Sequence, residues 1–410
     1  MSKCKIGLLF ITLLMLFTML SGCLGSTDFD RQVGEITRPY RFQLAKWEFQ
    51  TLTGEIGEFF TGGDKTDNAT KEIITYFNNA AKIGALEYTV NAMSTGNYSA
   101  GDINYVQNEI DELRSQNAAR RAATEKALEE QVREALSQQG IYSPLDKYVK
   151  IKVGFPPVKI HLGDPPNLLI ISPRDKIENI KEVELVPEMS LEDMEKIESD
   201  VDKLGVSSIV EGLGGLSTYP SYVLSDSSLQ FTLETAVHEW IHQYLAFTPL
   251  GFRYVLDEAG LRPDNNIATI NETVADMIGK EIGDIIYQKY APPETEQSPS
   301  PPTSQPTFDF NKEMREIRIA VDNYLAQGEI DQAEAFMEQK QQYLAENGYY
   351  IRKLNQAYFA FHGTYADSPT SSSPIGKEIS QLREQSASLK DFLDSAAGIT
   401  SQDELIKKLG

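Results

Sequence analysis

Glu234-Thr235-Ala236-Val237-His238-Glu239-Trp240-Ile241-His242-Gln243 is the stretch whose reading decides the rest of this chain. It holds two of the four histidines among 410 residues, spaced i and i+4. On a helix that spacing puts both imidazoles on one face, where they can point at a single spot. The flanking residues predict such a helix over 229–247. Ser227 and Gln230 have the spacing of a capping box, and Leu233, Val237, Trp240, Ile241 and Tyr244 form an apolar stripe. A His-acid-x-x-His match arises by chance in a chain of this composition less than about 1% of the time. Neutral imidazole is a good Zn2+ ligand, and a catalytic zinc has three protein ligands with one position open for water. Glu239 stands about 100° round the helix from His238, able to reach that water without being forced to ligate. Its carboxylate could take the water's proton.

The third ligand must come from elsewhere. Asn271-Glu272-Thr273-Val274-Ala275-Asp276 places two acids at i and i+4 within a helical pattern over 267–290. Glu272 can complete the coordination while Asp276 hydrogen-bonds the far nitrogen of a ligand histidine and fixes its tautomer. The competing pair, Asp257-Glu258, sits beside Gly260 and Pro263 in a turn-rich connection read as a loop over 249–266. It has no partner at i+4. A metzincin would need Gly and His at fixed offsets, where this chain has Leu245 and Thr248.

With H-E-x-x-H followed by a helical E-x-x-x-D, the sequence resembles the gluzincin metallopeptidases, the thermolysin-like group. The string from Glu234 to Gln243, paired with Asn271-Glu272-x-x-Ala275, looks most like a bacterial group of predicted aminopeptidases. The likeness is specific only over 234–276. It implies an α+β, predominantly helical fold, with a thermolysin-like zincin core and a small mixed sheet whose edge strand precedes the zinc helix. It implies a zinc metallopeptidase with His238, His242 and Glu272 as ligands and Glu239 as general base. The edge strand that would hold a substrate backbone falls on 215–224, where Tyr219 and Tyr222 could line it. Pro220 independently marks that stretch as an edge. The family's Asn-rich helix leading to a tyrosine is similar to Asn355-Gln356-Ala357 followed by Tyr365. A phenol there would donate to a tetrahedral oxyanion, with His362 as the rival donor. The interval from His242 to Glu272 is longer than in thermolysin-like enzymes. For gripping a free amino terminus only Glu211 and Glu234 are candidates. The alternative is a non-catalytic substrate-binding or scaffolding lipoprotein whose zinc site is structural or vestigial.

Composition narrows the setting. The chain carries 60 acidic against 38 basic side chains, a net charge of −22, with 41% hydrophobic residues. This argues against nucleic-acid binding, because phosphates must be met by clustered Lys and Arg. Cys4 and Cys23 are the only cysteines, so no disulfide framework holds the fold. Lys3 and Lys5 precede an apolar run over 6–20, and Leu20-Ser21-Gly22-Cys23 looks like a bacterial lipobox. The expectation is a signal peptide over 1–22 and a mature chain lipidated on Cys23. It would work outside the cytoplasm, anchored to the membrane, with a peptide or protein as substrate. Gly212-Leu213-Gly214-Gly215 leads into a strand, which argues against a phosphate cradle.

The remainder divides by texture. A helical region spans 23–147 and is clearest over 102–139. There Ile103, Val106, Ile110, Leu113, Leu128, Val132 and Leu136 keep a helical repeat between Asp102 and Gly140 as caps. The zincin core is assigned to 148–290, with β-branched runs at 149–153, 158–162, 168–171 and 183–186 and a helix over 190–204. A Pro-rich loop covers 291–307, and a helical region over 308–410 is expected to pack on the core.

Overall fold

The structure, a computed structural model, describes residues 27–44, 47, 69–94, 100–146, 152, 154–258, 261–262, 264–290, 308–366 and 368–410. The expected signal peptide with Cys23, all but residue 152 of the run at 149–153, and the Pro-rich stretch 291–307 lie outside them.

Helix α1 (Asp28–Thr37) starts on a capping box between Thr27 and Asp30. Two long helices, α2 (Ala69–Ser94) and α3 (Ala100–Gln138), then pack along each other. The repeat read in α3 faces inward: Ile110, Leu113, Leu128, Val132 and Leu136 are buried. Gly140 ends the region in the left-handed conformation at φ 73°. The helix is already formed at Ala100, two residues before Asp102.

The β-branched runs become short strands. β1 (Ile160–Gly163), β2 (Asn167–Pro173) and β3 (Lys181–Leu185) precede α4 (Leu191–Asp202), which Ser190 caps. β4 (Val206–Gly212), β5 (Gly215–Leu216) and β6 (Ser221–Leu224) follow. They form two sheets. One is mixed, in the order β1-β6-β5, with β1 parallel and β5 antiparallel to the central β6. The other is antiparallel, in the order β3-β2-β4. The stretch 215–224 is therefore not one edge strand. It is a hairpin in which only β5 is the edge, and Pro220 stands in the connection, where its missing N–H breaks no ladder bond.

Helix α5 (Leu229–Leu245) carries both histidines of the motif. Its cap is Ser228, whose hydroxyl accepts from the Phe231 N–H at 3.2 Å. Ser227 instead donates to the Leu224 carbonyl and pairs with the Thr232 hydroxyl. The apolar stripe is buried throughout, and the Trp240 indole N–H donates to the Pro156 carbonyl at 3.0 Å. The region 249–266 is not a loop. Thr248 and Pro249 open a further helix, α6 (Pro249–Glu258), with Pro at the first position where no N–H is missed.

Helix α7 (Asn265–Tyr290) lies against α5 at close range. A Cβ on Gly279 would stand 2.8 Å from the Glu234 carbonyl oxygen, and one on Gly283 would stand 3.0 Å from Glu234 Cα. Ala275, Gly279 and Gly283 fall one turn apart, so a strip of small residues lets the two backbones approach. After 291–307, α8 (Phe310–Ala326) and α9 (Ile330–Glu346) build their own core around Met314, Ile317, Val321, Met337 and Leu344. Helix α10 (Gln356–His362), capped by Asn355, packs Ala357 on Leu168, Ile170 and Ile209 of the antiparallel sheet. Finally α11 (Ile375–Gln385), α12 (Leu389–Ala396) and α13 (Gln402–Leu409) join the core shared by α5 and α7. The fold is α+β and mostly helical.

A paired substitution tests the close contact. Gly279→Ala should lower stability by about 1–3 kcal/mol, as overpacking does. Gly84→Ala, on α2 with nothing within 4 Å of the added carbon, should raise it by about 0.5–1 kcal/mol. Denaturant unfolding of the two variants reads the difference, and a stabilised Gly279→Ala chain would contradict the packing described.

Candidate metal centre

His238 and His242 project from α5 toward α7, with Nε2 atoms 2.9 Å apart. Glu272, from α7, straddles them: Oε2 is 3.3 Å from His238 Nε2 and Oε1 is 3.3 Å from His242 Nε2. The three side chains are 12%, 10% and 13% exposed. Two imidazole lone pairs cannot face each other at this range unless a proton or a cation lies between them. Three donors at about 2.0–2.1 Å from a tetrahedral ion stand about 3.3–3.4 Å from one another. Here the two nitrogens stand 2.9 Å apart and each lies 3.3 Å from one of the two Glu272 oxygens, close to that spacing, so the residues fit a small divalent cation.

Glu239 belongs to the same cluster, and donor atoms of His238, Glu239 and His242 lie within 4.8 Å of one another. Its carboxylate, on a residue only 8% exposed, faces the sheet edge, and a Cβ on Gly215 would stand 2.5 Å from Glu239 Oε1. Glycine at position 215 is what lets β5 and that carboxylate coexist. The hairpin is fastened to the helix by two further residues. The Gln243 amide donates to the Thr218 carbonyl at 2.6 Å and the Ser221 hydroxyl at 2.9 Å. The Ser217 hydroxyl donates to the Glu239 carbonyl at 3.1 Å.

The residue supporting His242 is Asn271, quoted in the motif but given no role by the sequence reading. Its side-chain amide lies 2.9 Å from His242 Nδ1, while Asn271 Oδ1 is buried without a partner. An imidazole that presents its Nε2 lone pair carries its proton on Nδ1, and a half-turn of the amide lets Oδ1 accept it. Asn271 thereby sets the tautomer, a task expected of Asp276. Asp276 pairs with Lys280 at 2.6 Å, and its charge acts on His238. The available signal was position alone, since Asn271 directly precedes Glu272.

Tyr365 reaches the site and His362 does not. The Tyr365 ring lies 6.1 Å from the His238 ring, and the Ala366 N–H donates to the Thr273 hydroxyl beside Glu272 at 3.3 Å. Burial first, then the charges of Glu272, Glu239 and Asp276, hold the Tyr365 phenol protonated well above its ordinary range. His362 packs on Tyr358 at 4.2 Å and Phe361 at 5.0 Å, and burial pushes its imidazole down to about 4. Asp257 accepts the Asp264 N–H at 2.6 Å and closes the connection into α7, and the side chain of Glu258 lies outside the described residues. Glu234 accepts from Gln230 on α5, and Glu211 is half-buried near Arg352. Tyr219 is buried, and Tyr222 stacks on Trp47 at 4.5 Å while donating to the Asp164 carbonyl, so packing occupies both. No family model, no curated protein and no solved structure matches the chain.

The charges of the cluster shift one another's protonation. Burial alone would lower His238, but the Glu272 hydrogen bond and the charges of Glu239, Glu272 and Asp276 outweigh it and raise the ring to about 9. Burial would likewise raise Glu272, yet the two imidazoles hold its carboxyl well below the usual range. A histidine raised on folding gives stability that is full below 6.5, its unfolded value, and is lost as pH rises through about 9. The metal-free chain should therefore melt at progressively lower temperature across that window, and Glu272→Gln should flatten the slope. Metal affinity should climb over the same window, because ligation needs the neutral ring. Thermal melts of chelator-treated protein check this, and a melting temperature that rises with pH would contradict it.

Proposed function

We propose that this chain is a zinc-dependent metallopeptidase of gluzincin type with a thermolysin-like core, an aminopeptidase in its narrower reading. We further propose that it is exported and held at a membrane by lipid on Cys23. The observation that carries the reading is one carboxylate, Glu272, meeting both imidazoles of the H-E-x-x-H helix at 3.3 Å with Glu239 alongside. Two imidazoles and a carboxylate suit zinc better than calcium or magnesium, which favour oxygen ligands.

His238, His242 and Glu272 would hold the ion. Zinc bound there would lower the pKa of a water toward about 7 and polarise a substrate carbonyl. Glu239 accepts the proton of the attacking water and passes it to the departing amine. Burial raises this carboxyl, and the His238 and His242 charges oppose the rise. The substrate backbone can pair with β5, which has β6 on one side only. The Tyr365 phenol, held protonated beside His238, donates to the developing oxyanion.

Glu239→Gln should retain a full equivalent of zinc and lose about 10²–10⁴ in kcat on peptides. Tyr365→Phe should lose about 10²–10³ in kcat with a smaller change in KM. Metal analysis alongside peptide hydrolysis reads both variants. Wild-type turnover by Glu239→Gln would remove the proposed chemistry.

A further inference from the structure

Among the described residues, four strands lie at the outer edges of the two sheets, and three of those edges are closed. Residues 40–42 pair along β3, where the Phe42 N–H donates to the Glu184 carbonyl and the Val186 N–H to the Tyr40 carbonyl. On β4, the Val210 N–H donates to Glu198, while Arg352 and Asn355 donate to the Val210 and Ser208 carbonyls. On β1, Glu129 and Glu125 of α3 accept the Ile160 and Leu162 N–H groups. Native sheets close their edges in such ways because free ladder groups invite pairing. Among the described residues, β5 receives neither a paired segment nor a side-chain cap on its outer side. The Leu224 N–H donates to the Gly214 carbonyl and Gly215 stands opposite Val223, which turns the N–H and C=O of Gly215 outward.

The open edge is held by the metal helix itself. Phe231, Thr235, Glu239 and Gln243 recur every four residues on α5 and form one stripe. The hairpin follows that stripe in order. A Cβ on Gly214 would meet the Phe231 ring, and one on Gly215 would meet Thr235 and Glu239, each at 2.5 Å. The Ser217 hydroxyl then reaches the Glu239 carbonyl, and the Gln243 amide donates to Thr218 and Ser221. The paired glycines of Gly212-Leu213-Gly214-Gly215 thus serve a close approach of backbone to helix. With only two residues, β5 gets little hold from its ladder with β6. Gln243 is buried, and the Thr218 carbonyl fixes its amide, since only the NH2 end can donate. Its Oε1 is buried without a partner, so among the described residues the hairpin receives every hydrogen bond this side chain makes.

We propose that Gln243 is a positioning residue: by fastening the β5–β6 hairpin to the metal helix, it sets where a substrate strand paired on β5 meets the metal. The proposal rests on the peptidase reading and adds to it a residue that acts through the hairpin. Gln243→Met keeps the buried volume and removes both hairpin bonds. The probes are a pentapeptide and its singly N-methylated versions, one for each backbone amide other than the scissile one. An N-methyl group deletes a ladder donor, so the zinc-loaded wild-type chain should lose about tenfold in kcat/KM on at least one of them. In Gln243→Met, KM for the parent peptide should rise about tenfold with a smaller change in kcat. The N-methyl penalty should shrink to about twofold. A purely structural role would slow every peptide alike and leave that penalty at its wild-type size. An equal penalty in both chains, or none in the wild type, overturns the proposal. Ser221→Ala, which removes one bond of the two, should give an intermediate penalty and serves if Gln243→Met does not fold. If the wild-type chain hydrolyses none of the peptides, the peptidase reading alone has failed, and hydrogen exchange decides. Faster exchange over 215–224 in the variant, with α5 amides at wild-type rates, supports the hold, and unchanged exchange overturns it.

Discussion

The close approach of α5 and α7 puts a carboxylate between two imidazoles in a place nearly closed to water. Burying such a group is costly unless a positive charge answers it. Glu272 gets that answer from His238 and His242 only when a proton or a cation sits among the two ring nitrogens and the two carboxylate oxygens. A protonated cluster and one holding a divalent cation would be two solutions to one electrostatic constraint. This ties the stability of the helix pair to the chemistry proposed for it, because Gly279 and Gly283 set the helix spacing that brings Glu272 into reach.

Around that centre, separate parts of the chain supply separate tasks. The α5 helix carries two imidazoles and Glu239; α7 carries Glu272 and Asn271; β5 passes Glu239 at Gly215; the segment after α10 presents Tyr365. Each is held by contacts of its own, such as Gln243 on the β5–β6 hairpin and the Ala366 N–H on Thr273. A constellation fixed in this way would need little reorganisation in the reaction proposed for it, the condition under which placed dipoles and acids act most strongly.

Periodicity made the two ligand helices legible in the sequence, since both the apolar stripe of α5 and the i, i+4 acids of α7 repeat at helical spacing. Where local cues compete, reading failed. Pro249 looked like a loop signal, although after Thr248 a proline at the first helical position starts α6. Pro220 pointed correctly to an edge nearby but assigned it to the wrong residues, because pairing partners for 215–224 come from β1 and cannot be seen locally. Adjacent serines left the cap of α5 one residue out. The part played by Asn271 was hidden for a deeper reason. It depends on which atom the helix pair places opposite its amide, and no spacing within one segment encodes that.

X-ray absorption at the zinc edge on the zinc-loaded full-length chain tests the central claim most directly. The expected result is one zinc per chain, coordinated by two imidazole nitrogens and carboxylate or water oxygen at about 2.0–2.1 Å. Zinc far below one per chain, or a coordination shell without two imidazoles, would contradict it.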